Sequence, residues 1–282
     1  MKSPNFKIFV INLDRSASRW EKMRAQLEDL GLPYERFSAI DAQKVPDEFL
    51  NKYYSAKLNR EKYYVSLSKS EIACYISHLK LCEKIVAENL DYAIILEDDI
   101  VLNGLFKLVP FALNSIKNWN YIKLIAPFKS KKIVSRESVD FEFPAACGTD
   151  NAALKYDSNA CEAAAATKGK ANSPKFELVC WRKPPAGTQA YAITKDGASE
   201  FISKRSRFYR PVDMDLQFTW ETNLEIMGLM PQSCEIVDIA SQITRRKDYH
   251  YPFARLFYKL KYIVCSLKNR RNAGAKIHSF KA

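Results

Sequence analysis

The chain has 282 residues, 47% hydrophobic and 27% charged, an ordinary globular composition that excludes a disordered or collagen-like polymer. That length buries a sizeable core without disulfide or metal staples, as one large domain or two small ones. The formal net charge is +12, yet +10 of it lies after residue 244, so the body is nearly neutral and carries no basic stripe for nucleic acid.

No apolar run approaches the roughly 18 residues that a membrane-spanning helix needs. Near the N-terminus, Asn12, Asp14 and Arg15 interrupt the apolar residues and no small-residue cleavage site follows, so the expected compartment is the cytoplasm. The seven cysteines form no C-x-x-C pair and are odd in number. They read as small buried hydrophobes in a reducing compartment rather than as a zinc site or a disulfide framework.

Residues 6–13 (FKIFVINL) carry the pattern of a buried strand. Ser18 and Glu21 read as a capping box for a helix with Trp20, Met23, Leu27 and Leu30 on one face and Gly31 as its stop. A second strand is predicted over 33–40. Ser68 and Glu71 form another capping box, for a helix to about residue 89 with Ile72, Tyr75, Ile76, Leu79 and Val86 at helical spacing. Residues 92–96 (YAIIL) are a further buried strand, ending in Glu97, Asp98 and Asp99. This alternation implies an α/β fold with a mostly parallel central sheet. Beyond it, strands are predicted at 121–125, 176–181 and 187–194, an irregular loop at 145–174, helices at 196–204 and 215–227, and a short strand at 235–239.

No repeat or boundary divides residues 1–244, which read as a single domain, and 245–282 is a basic amphipathic helical tail. Phe253, Leu256, Phe257, Leu260, Ile263, Val264 and Leu267 share one helical face of that tail, with Arg255, Lys259 and Arg270 opposite and Lys261 and Lys268 at the margin. The pattern suits a membrane surface, or a helix docked on the body, or both.

The chemistry-bearing residues gather at predicted strand ends, where open α/β sheets bind ligands. Adjacent Glu97, Asp98 and Asp99 repel one another, and a divalent cation would offset that cost; their hard oxygens suit Mn²⁺ or Mg²⁺. A solvated acidic turn is the plainer alternative. Asn12, Asp14, Arg15 and Arg19 stand where the first strand meets its helix, a place for a diphosphate, though Asp14 also suits a cap and Arg19 an ordinary surface. Asp41 ends the second strand, placed for a ribose or uracil or simply for a turn. Ser77 and His78 lie within the second long helix, where a structural role is the simpler one for a histidine. Gly187 and Thr188 precede a strand and would let the backbone approach a substrate closely. Asp213 and Asp215 follow Pro211; a carboxylate there could take a hydroxyl proton, and Asp215 could instead cap a following helix.

In this order, INLDRSASRW (11–20), AID (39–41), SEIACYISH (70–78), LEDDI (96–100), GTQAYAIT (187–194) and PVDMD (211–215) resemble glycosyltransferase family 25, the lipopolysaccharide and lipooligosaccharide β-galactosyltransferases, which also includes collagen galactosyltransferases. The resemblance runs from about residue 7 to 238, leaving out 130–175 and the tail. It implies a GT-A-like fold, a UDP-sugar donor (usually UDP-galactose), a divalent metal, and inversion at the anomeric carbon. It draws Ser77 and His78 toward the donor pocket and matches Asp213 to the family's Asp, as base or second metal contact. Family members commonly carry His in the place of Gln189.

On this reading Glu97, Asp98 and Asp99 hold the metal, Asp98 also meets the donor, and the acceptor is a lipid-linked core saccharide. The tail then meets the anionic inner face of the membrane. Two rival classes are a metal-dependent phosphohydrolase, for which no Gly-rich phosphate loop is found, and a non-catalytic membrane or RNA adaptor working through the tail.

Overall fold

The computed structural model describes residues 4–125, 133–141, 175–181, 183–236 and 249–268. The loop predicted at 145–174, most of the strand predicted at 235–239 and the tail beyond 268 lie outside the described residues. In chain order the strands are β1 (Phe6–Asn12), β2 (Glu35–Ser38), β3 (Tyr92–Glu97), β4 (Ile100–Leu102), β5 (Tyr121–Lys123), β6 (Ile133–Val139), β7 (Phe176–Trp181), β8 (Ala190–Thr194), β9 (Ile226–Met230) and β10 (Cys234–Ile236). The helices are α1 (Ala17–Asp29), α2 (Asp47–Tyr53), α3 (Ala56–Lys62), α4 (Lys69–Ala87), α5 (Val109–Ser115), α6 (Lys195–Arg205), α7 (Val212–Asp215) and α8 (Ala254–Lys268).

One sheet of order β2-β1-β3-β8-β5-β9-β7-β6 organises the chain, and β4 pairs with β10 apart from it. The predicted parallel arrangement holds for β2-β1-β3 and for β5 with β9. Elsewhere the sheet is mixed, because β8 runs antiparallel between β3 and β5, and β7 is antiparallel to both β9 and β6. Side chains alternate across it. Phe9, Ile11, Ile95 and Tyr191 pack with α4 and α6 on one face, while Ile8, Val10, Ile94 and Ala192 pack with α1 and α5 on the other. Burial on both faces explains why these strands read as continuous apolar runs.

This topology gathers one working edge. The carboxyl ends of β1, β3 and β5 share it with the amino end of β8, since Leu96 pairs with Ala190 and Lys123 with Tyr191. The approach to α4 is fixed by the predicted capping box, in which the Ser68 and Glu71 side chains each accept the other's backbone N–H. The box predicted for α1 is not formed. Its N-cap is Ser16, whose carbonyl accepts from Arg19 and Trp20 and whose side chain makes no capping bond. The helix predicted over 215–227 is also corrected: α7 stops at Asp215, a 3₁₀ turn covers Thr219–Glu221, and Met227 lies in β9, where pairing with β5 and β7 outweighs the local helical spacing.

Candidate active site

A cleft at the working edge is lined by Arg15 and Arg19, by Ser77 and His78 of α4, and by Glu97, Asp98 and Asp99 at the end of β3. Each carboxylate has a different environment. Asp98 accepts from Asn12 Nδ2 at 2.6 Å through Oδ2 and from Arg19 Nη1 at 3.2 Å through Oδ1. Glu97 Oε1 accepts from the Thr188 hydroxyl at 2.6 Å and lies 3.5 Å from His78 Nε2. Burial alone would raise the Glu97 pKa, but His78, Thr188 and Lys123 together outweigh it and hold it below the ordinary value. Asp99 differs, because its Oδ1 is buried with no hydrogen-bond partner. Burial, then the charges of Glu97 and Asp98, push its pKa up to about 6 against the pull of Arg19.

Among the described residues no three His, Cys, Asp or Glu side chains form a ready-made cation-binding group. Of the three carboxylates expected to hold a metal, Glu97 accepts a hydrogen bond from Thr188 and Asp98 accepts from Asn12 and Arg19. Asp99 alone brings an orphaned hard oxygen to the cleft wall. That fits an ion such as Mg²⁺, which is held by one or two carboxylates and completes its shell with water and substrate phosphate.

The other predicted residues fall into three groups. Asp41 pairs with Arg15, which keeps its pKa low, and it accepts the Gln43 N–H in a turn, as its turn reading expects. Asn12 is buried behind Asp98 as a positioning residue, and Ser77 is a stitch: its hydroxyl donates to Ala73 O and accepts from Ile40 N, both at 2.9 Å. His78 is buried, with Nδ1 2.9 Å from the Tyr191 hydroxyl. Asp14 is not part of the cleft lining, since its carboxylate accepts from Ser38 and Arg36 at 2.6 and 2.9 Å on the exposed side of β2.

Beside the cleft, Gly187 uses both faces of its peptide backbone. Its carbonyl accepts from the buried Lys123 ammonium and its N–H meets the Asp213 carboxylate. Its φ of +95° is one that a residue with a Cβ rarely adopts. Asp213 also accepts from the Met214 N–H at 2.8 Å. Burial raises its pKa, the Glu97 charge adds to that, and Lys123 and the two N–H groups oppose it. Asp215, two residues on, lies within α7 rather than capping a following helix. Tyr75 and Arg205 reach its Oδ2 at 2.5 and 2.6 Å and Arg210 reaches Oδ1 at 2.6 Å, so both oxygens belong to a buried ion-pair cluster joining α7 to α4 and α6.

Sequence reasoning missed Lys123 and Arg36. The signal for Lys123 was one charge inside the apolar run YIKLI; Arg36, which donates twice to Asn12 Oδ1, offered none beyond its position in a strand.

The cleft lies at the carboxyl ends of the strands, where open α/β sheets bind ligands. The family model described as glycosyltransferase family 25 (LPS biosynthesis protein) matches residues 5–216, and the chain belongs to that family. It is 34% identical over 108 residues to a glycosyltransferase 25 family member of Aedes aegypti, covering 36% of this chain and 17% of that protein. It is 30% identical over 94 residues to the lipooligosaccharide biosynthesis protein lic2B of Haemophilus influenzae, covering 33% and 34%. To the lacto-N-neotetraose biosynthesis glycosyltransferase LgtE of Neisseria meningitidis it is 31% identical over 93 residues, covering 33% and 32%. The chain thus spans about a sixth of the insect relative and about a third of each bacterial one.

Proposed function

We propose that this chain is an inverting glycosyltransferase with a GT-A-like domain, moving a hexose, galactose by preference, from a UDP-sugar to a lipopolysaccharide or lipooligosaccharide core saccharide. The observation that carries this reading is the sharing of one cleft by Arg15, Arg19 and the orphaned Asp99 oxygen, with Asp213 linked to it through Glu97 and Lys123. Family membership and the names of the bacterial relatives support the substrate class.

In a single displacement, the acceptor hydroxyl oxygen bonds to the anomeric carbon as the bond to the β-phosphate oxygen breaks and its electron pair leaves on UDP. Asp213 takes the hydroxyl proton, and a carboxylate with a raised pKa is suited to that work. Arg15 and Arg19 meet the diphosphate as charge develops on it. A Mn²⁺ or Mg²⁺ ion held by Asp99 would neutralise part of that leaving-group charge. Calorimetric titration of the chain with UDP, UDP-galactose and UDP-glucose, with and without Mn²⁺, tests the donor half. Tight, metal-dependent binding of a UDP-sugar supports it, and absence of binding to any UDP compound removes it.

A further inference from the structure

No helix among the described residues is long and apolar enough to cross a membrane. Helix α8 is nonetheless unusual, because two opposite faces of it are apolar. One face is docked. Ala254 and Tyr262 are buried, the Tyr262 hydroxyl donates to Gln217 O at 3.1 Å, and its ring packs edge-on against Phe218 at 5.1 Å. Tyr258, between them, meets Tyr63 at 5.1 Å and Tyr64 at 5.0 Å. His250, just before the helix, lies 2.7 Å from Asn59 Oδ1, so the approach is pinned as well.

The other face is bare. Leu256, Phe257, Leu260, Ile263, Val264 and Leu267 are each between 47% and 58% exposed, and Phe253 at the N-terminal end is 74% exposed. At about 100° per residue, this face is centred roughly opposite the docked one. At the same spacing Arg255 and Lys259 fall on one flank between the two faces and Lys261 on the other. Tyr249 and Tyr251, both exposed, lie just ahead of the helix; tyrosine favours a boundary between water and lipid.

We propose that the outer face of α8 is a docking surface for an anionic lipid leaflet, held rigidly against the catalytic body rather than tethered to it. Charge decides between the possible occupants. The described helix carries basic residues and no acidic one, and residues from 245 onward carry +10. A second copy would bring the same charge against itself, whereas an anionic bilayer accepts both the apolar strip and its basic flanks. The proposal is independent of the catalytic reading, because lipid binding is measured without turnover.

The test uses the full chain and sedimentation with vesicles of phosphatidylcholine, with or without phosphatidylglycerol. The native chain is expected to bind only the anionic vesicles, and high salt should weaken that binding. Leu256→Asp/Leu260→Asp/Ile263→Asp should lose at least about ten-fold in vesicle affinity, since it removes the inserted apolar surface. Its melting temperature should change little, because the three side chains are exposed. Arg255→Glu/Lys259→Glu/Lys261→Glu should remove the preference for phosphatidylglycerol. Failure of the native chain to bind anionic vesicles overturns the proposal whatever the variants do. A native dimer in lipid-free solution that the aspartate variant splits overturns it too, by giving the face to a second copy.

Discussion

Asn12 and Asp98 are joined by a 2.6 Å hydrogen bond from the amide Nδ2 to the carboxylate Oδ2, across 86 residues of sequence. The other end of the amide accepts from Arg36 at 2.8 and 2.9 Å, so Arg36 fixes the amide and the amide fixes the carboxylate. Asn12→Leu leaves both charged partners short of a hydrogen bond, at about 1.5–3 kcal/mol for a bond to a charged group. Thermal melts should show that loss, and calorimetry a UDP affinity lower by about ten-fold. An unchanged UDP affinity in a folded variant would take Asp98 out of the donor site.

Asp99 predicts an inverted pH dependence. Its pKa of about 6 in the fold lies above the ordinary value of 3.8, so between those values the folded chain binds the proton more tightly than the unfolded chain. Stability from this group therefore falls as pH rises through that window, and the penalty is complete above it. Asp99→Asn should melt higher than the native chain near neutral pH, with the gap closing as the medium is acidified. Mn²⁺ should raise the native melting temperature and leave that of the variant unmoved. A variant that melts lower at neutral pH, or responds equally to Mn²⁺, contradicts this assignment.

The two late carboxylates should separate cleanly. Asp213→Asn is expected to lower turnover by roughly 10²–10⁴-fold with UDP affinity little changed, as loss of a general base does. Asp215→Asn instead leaves Arg205 and Arg210 facing a neutral amide in a buried cluster, and breaking such a pair costs about 3–5 kcal/mol. Chemical denaturation should register the second and not the first. The reverse pattern moves the base to Asp215.

Lys123 ties the base to its surroundings. Its charge lowers the Asp213 pKa, so Lys123→Met should shift the acidic limb of the kcat/KM profile to higher pH. Glu97→Gln, which removes a charge that raises the Asp213 pKa, should shift it the other way. Limbs that stay in place in both variants would mean that another group supplies the base.

Much of the local chemistry was legible, the Ser18 box of α1 excepted, and long-range pairing was not. The Ser68 and Glu71 cap, the apolar runs of β1 and β3 and the acidic cluster after β3 could all be read, because each depends on neighbours within a few residues. The direction of β8 could not: an apolar run buried on both faces looks the same either way, and only its pairing with Leu96 and Lys123 sets it. Leu216, Trp220, Leu224 and Met227 have helical spacing, yet Met227 pairs with β5 and β7. The fate of each late carboxylate was equally hidden, since Asp215 is claimed by Tyr75 from 140 residues away.

Transfer itself is the deciding measurement. The full chain should be incubated with UDP-galactose, Mn²⁺ and a truncated lipooligosaccharide core, with the product read by mass spectrometry and its anomeric proton by NMR. A core one hexose heavier, formed as a β-linkage, abolished by EDTA and restored by Mn²⁺, is the predicted result. Hexose transfer that continues undiminished in EDTA removes the metal and Asp99 from the chemistry. Absence of transfer from any UDP-sugar to any core saccharide, by a folded chain, contradicts the central claim.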